Sequence, residues 1–112
     1  MKNDHKTIWN CCITGRPTGV LHEIIPGRGN RSICEKYNIQ VPVSHEIHLG
    51  AHGRLPQNHI FTHSQEWYKR KFCELLGIPF ETTQLAVRDK SYRYFLESIK
   101  DGCLEKLRSW EA

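Results

Sequence analysis

The stretch VPVSHEIHLGAHG, residues 41–53, carries three of the chain's seven histidines, His45, His48 and His52, directly after a β-branched run. Side chains four apart on an α-helix share a face, so His48 and His52 can turn both imidazoles toward one cation. Ser44 is a good N-cap for such a helix and Glu46 falls in its first turn; Gly50 weakens the helix and Gly53 stops it. His45, three before His48, can join the same face or cap the helix. Two ligands do not make a metal site, and the third must come from elsewhere.

Upstream, His22 stands in the middle of the apolar run VLHEII, residues 20–25. A strand histidine opposite a two-histidine helix supplies three nitrogen donors and leaves positions for water and substrate, which separates catalytic sites from closed structural ones. Taken singly, each of these histidines is as readily a hydrogen-bonded surface or core residue. The ordered set of strand histidine, basic loop, strand and helix histidines is what favours a metal. Glu23 adjoins His22. Strand neighbours point to opposite faces unless the strand is twisted or bulged. If both reach one cleft, Glu23 can accept a proton from water, since carboxylates are ionised at neutral pH.

Around these residues the chain reads as a single α+β domain. Its 112 residues allow one core and not two. With 38% apolar and 25% charged residues it is globular rather than disordered. A net charge of +4 and a pI of about 8.9 are compatible with a polyanionic partner without demanding one. No window approaches the roughly 18 apolar residues of a membrane span, and MKNDHKTIWN has no signal-peptide run. The odd count of five cysteines, Cys11, Cys12, Cys34, Cys73 and Cys103, reads as reduced thiols of a cytoplasmic protein.

In detail, residues 1–8 are polar and read as a loose start. A CCITG knuckle and a turn at Arg16-Pro17 lead into a first strand, GVLHEII, which Pro26-Gly27 ends. GRGNRSICEKYN is expected as a basic loop, IQVPV as a second strand with Pro42 at an edge or end. SQEWYKRKFCELLG is expected as a helix capped by Ser64 and stopped by Gly77, with Trp67, Phe72, Leu75 and Leu76 on its apolar face. From Thr83 to Ile99 the chain is helix-compatible, with a shorter helix near Cys103 to Trp110.

LHEIIPGRGN and VPVSHEIHLGAHG together resemble the HNH (ββα-metal) nuclease family, in which a strand bearing a metal ligand and the general base is followed by a loop, a second strand and a helix. The phage and prophage branch, whose members run roughly LHEI…G…NR…S…KYG…VPL…H…HG, is the nearest in flavour to residues 21–53. The resemblance spans Cys11 to about His59 and names no motif after Gln65. It implies a ββα-metal core over residues 9–60 and a helical extension over residues 64–112. It assigns His22, His48 and His52 to one divalent ion, magnesium or manganese by family habit, zinc or nickel by the chemistry of imidazole ligands. Glu23 falls at the general-base position, where most members have histidine, so His45 is a second choice of base. Asn38 stands near the family's asparagine, one residue farther from His48 than usual, and is otherwise a turn residue.

Many members also hold a structural zinc with two C-x-x-C pairs. Here those positions are Cys11, Thr14, Ser44 and Ile47, from which a tetrahedral thiolate site cannot be built. No structural zinc is expected, and the helical extension is expected to take over its stabilising role. The resemblance further implies a phage-encoded DNA endonuclease acting in the host cytoplasm, with RNA not excluded as substrate and a homodimer suited to double-strand cuts. Arg16, Arg28, Arg31 and Arg54 flank the site as phosphate contacts. The competing expectation is a catalytically decayed module that binds nucleic acid or protein.

Overall fold

A computed structural model describes residues 7–85 and 89–112, so most of the polar start lies outside it. Strand β1 (Trp9–Asn10) pairs antiparallel with β2 (Pro17–Thr18) around the CCITG turn. Strand β3 (Leu21–Glu23) pairs antiparallel with β4 (Gln40–Pro42), His22 opposite Val41 and Glu23 opposite Gln40. Pro42 ends β4 as its missing N–H requires, and its carbonyl accepts the Cys12 N–H at 2.9 Å. The two ribbons are joined by the Thr18 hydroxyl, which donates to the Val43 carbonyl at 2.8 Å.

Between β3 and β4 the expected loop is in part helical: a 3-10 turn over Arg28–Asn30 leads into α1 (Arg31–Tyr37). The helix is short and polar, and Asn30 gives it no side-chain cap, so it offers little local signal. What orders it is burial of Cys34 and Tyr37, three apart on one face. Asn38 closes it in the left-handed region at φ 62°, donating its side-chain amide to the Lys100 carbonyl at 3.1 Å.

Helix α2 (His45–Ala51) begins where expected, with the Ser44 hydroxyl accepting the Ile47 N–H. Helix α3 (Gln65–Leu76) is likewise capped by Ser64 and stopped by Gly77 at φ 81°. Its buried face uses Tyr68, Phe72, Cys73 and Leu76; Trp67 lies outside and stacks on His63 at 3.7 Å. The tail departs from expectation. Phe80–Gln84 form a 3-10 turn, and one helix, α4 (Ser91–Arg108), runs unbroken through Gly102. The apolar stripe of Phe95, Leu96, Ile99, Cys103 and Leu107 continues across that glycine, and packing outweighs its weak propensity. Residues 86–88 of the expected helical stretch lie outside the described residues.

Ile24, Val41 and Ile47 bury against Tyr68, Phe72 and Leu96, so the helical extension shares one core with the strands. Each such side chain contributes about 1.5–3 kcal/mol by leaving water. The far end is strapped on by backbone pairing: Ala112 donates to the Ile8 carbonyl at 2.9 Å and Trp9 bridges Glu111. Among the described residues no helix is long and apolar enough to cross a membrane.

Gly50 does more than weaken α2. A Cβ there would stand 2.4 Å from the Tyr68 Oη, and Tyr68 is buried with its hydroxyl bonded to the Phe61 carbonyl. Gly50→Ala should therefore destabilise by about 1–3 kcal/mol through overpacking, against the roughly 1 kcal/mol that alanine returns in helix propensity; urea unfolding would measure the difference.

Burial pushes the Cys12 thiol up to about 12 and those of Cys34, Cys73 and Cys103 up to about 11. The folded state therefore holds these protons more tightly than the unfolded chain. Their stabilising effect is complete below the ordinary thiol value and is lost as pH rises from about 9 through about 11, and for Cys12 through about 12. Iodoacetamide at pH 8 should leave these four thiols unmodified in the native protein and alkylate them in denaturant, as peptide mass mapping would show.

Candidate metal centre

Helix α2 sets His48 and His52 one turn apart, with ring centroids 4.7 Å apart and the two Nε2 atoms at 3.1 Å. Two imidazole nitrogens this close share either a proton or a cation, because their lone pairs would otherwise repel. His22 approaches from β3, its ring 5.5 Å from that of His48 and 5.4 Å from that of His52. One ligand atom from each of the three histidines fits within 4.8 Å of the other two. That is close enough for one metal ion.

Burial pushes His22 down to about 3, and the neighbouring His48 and His52 act in the same direction. Its ring is neutral at any physiological pH and offers a lone pair rather than a charge. Burial, then His52, also lowers His48, while Glu23 opposes the shift. Beneath His22 lies Phe72 of α3, ring to ring at 5.3 Å, which gives the site an apolar floor.

Glu23 reaches the same open cleft as the histidines. This cleft, of about 770 Å³, is lined by His22, Glu23, His48, His52, Arg28 and Arg31 among others. A two-stranded ribbon twists more than a wide sheet, and a glutamate side chain is long enough to come round its edge. Arg31 Nε lies 3.6 Å from Glu23 and 3.3 Å from Glu35.

No family model, curated protein or solved structure matches this chain. The chemistry open to the site follows from its own geometry.

The remaining expected residues are placed as follows. Of the four arginines, Arg28 and Arg31 line the cleft, whereas Arg16 is ion-paired with Glu46 at 3.0 Å and Arg54 is exposed beyond α2. His45 is exposed at the first residue of α2 and is not one of the three converging histidines. Asn38 spends its amide on α4, as described. His59, in the loop after α2, lies 3.9 Å from Glu46 and is not one of the three converging histidines. In the sequence WYKRKF, which contains Lys69, reads as a plain amphipathic helix in preference to a nucleic-acid surface, yet Gln65 and Lys69 of α3 border the site together with Phe72. Their i, i+4, i+7 spacing marks a shared helix face, but only the packing of α3 against β3 shows what that face meets.

A divalent ion that binds the folded site and not the unfolded chain stabilises by about 2.7 kcal/mol at a hundredfold excess over Kd. For a chain of this size that is a rise in Tm on the order of 10 °C. Ni²⁺ or Zn²⁺ should produce such a rise in the wild type and not in His52→Ala, a substitution at an exposed position; differential scanning calorimetry would read both.

Proposed function

We propose that this chain is a metal-dependent DNA endonuclease of the HNH (ββα-metal) type, encoded by a phage or prophage. One observation carries the reading: His22, His48 and His52 converge on a single point within a cleft that also presents Glu23, Arg28 and Arg31. The donor set fits a divalent ion, since three neutral nitrogens satisfy a borderline cation and leave coordination positions open. When bound there, the ion supplies positive charge to the scissile phosphate and the leaving oxygen.

The rest of the chemistry falls to the chain's own groups. Glu23 takes the proton of the attacking water. Arg28 and Arg31 contact flanking phosphates through paired N–H groups, which fixes the strand without reading its bases. Phe72 and the surrounding core keep His22 uncharged and in place. Arg31 also neutralises Glu23 until a phosphate competes for its guanidinium.

That last contact also supports a second reading. A carboxylate at the base position, already engaged by Arg31, is consistent with a decayed HNH-fold module that binds nucleic acid or protein without cutting it.

Supercoiled plasmid distinguishes the two. With Mg²⁺, Mn²⁺, Ni²⁺ or Zn²⁺ the wild type should nick it, EDTA should stop the reaction, and His22→Ala and His52→Ala should be inactive. Glu23→Gln should lose roughly 100-fold or more in rate, the range of a general base. A wild type that binds metal and DNA but cuts with none of these ions would establish the decayed module instead.

A further inference from the structure

His22, Glu23 and His52 form a wall with space on both sides. On one side is the cleft that holds Arg28 and Arg31. On the other is a smaller pocket of about 110 Å³, bounded by the same three residues and by Gln65, Lys69, Tyr68 and Phe72 of α3. Gln65 and Lys69 are four apart and share a helix face, the one that also carries Phe72 under His22.

Lys69 differs from the basic residues beside it. Arg70 is ion-paired with Glu66 at 3.6 Å, and Lys71 with Glu74 at 3.9 Å. Lys69 is half-buried, and among the described residues it makes no ion pair. Gln65 is exposed one turn before Lys69, with its side-chain amide beside Gly53. Lys69 thus lines a pocket together with His22, His52 and Gln65, with Glu23 as the acid on its lining. An anion in this pocket would lie between the ammonium and a cation held by the histidines and be attracted by both. A lysine suits that task as a compact point charge with three rotatable donors.

We infer that α3 supplies a second phosphate subsite, in which Lys69, flanked by Gln65, holds a DNA phosphate next to the one above the histidine cluster. This rests on the endonuclease reading of that cluster. The DNA strand then crosses the histidine wall with Arg28 and Arg31 gripping it on one side and Lys69 on the other. The extension thereby becomes part of the substrate site as well as of the core.

The test compares wild type, Lys69→Gln, Lys69→Arg and, as a charge control on α4, Lys106→Gln. Three readouts are taken on each: Ni²⁺ affinity by calorimetric titration, binding to a short fluorescein-labelled DNA duplex over a salt series, and single-turnover cleavage of that duplex. Lys69→Gln should bind Ni²⁺ like the wild type, lower the magnitude of the log Kobs against log salt slope by roughly 0.9, one phosphate's worth, and cut about tenfold more slowly, the scale of one charge-assisted hydrogen bond. Lys69→Arg should restore much of both losses, and Lys106→Gln should match the wild type. A wild-type slope and rate in Lys69→Gln would overturn the subsite while leaving the endonuclease standing. An equal slope loss in Lys106→Gln would also overturn it, as an effect of net charge alone. If the wild type binds the duplex and cuts with no metal, the endonuclease reading fails, and a slope loss confined to Lys69→Gln still upholds the phosphate contact.

Discussion

The hydroxyphenyl ring of Tyr68 fills the space that a side chain on residue 50 would need, and the rest of the structure is arranged around that contact. It brings α2 against α3 at the middle of the two-histidine helix, between His48 and His52. The same face of α3 then carries Phe72 under His22. A glycine in a helix interior costs about 1 kcal/mol relative to alanine. Here that cost permits a close interhelical approach that a Cβ at this position would obstruct.

Much of the site was legible in the sequence because its signals are local. HxxxH spacing, the Ser44 and Ser64 caps and the Gly77 stop each depend on residues within a turn or two of one another, and their helices lie where that chemistry puts them. Helix α1 was not legible, since Cys34 and Tyr37 become an apolar face only once α4 and the strands cover them. The expected division of the tail between Ile99 and Cys103 fails for the same reason: the weak propensity of Gly102 is local, whereas the apolar stripe that carries α4 across it depends on distant contacts. Arg16 and Lys69 show the same limit at the level of single charges. A basic residue near a motif can be taken up by a distant carboxylate, as Arg16 is by Glu46, and one far from it in sequence can border it in space.

The knuckle shows how backbone and core contacts stabilise a short hairpin. Cys11 is buried; its carbonyl accepts the Gly15 N–H, its own N–H reaches the Arg16 carbonyl, and its sulfur accepts from the Thr14 N–H at 3.4 Å. Burial raises its pKa, but hydrogen bonds from Thr14, Ile13 and Ser44 outweigh that and hold it below the ordinary thiol value. The sulfur is thus a hydrogen-bonded member of the core.

The pairing of Ile8 and Trp9 with Glu111 and Ala112 has a kinetic consequence. It joins segments separated by nearly the whole length of the chain, and the entropy of closing so large a loop must be met before that pairing returns anything. Helices α3 and α4 can form from neighbouring residues. The outer edge of the first hairpin cannot be completed until the chain has collapsed and brought residues 8–9 beside residues 111–112. The terminal pairing therefore belongs among the latest contacts of this small domain to form.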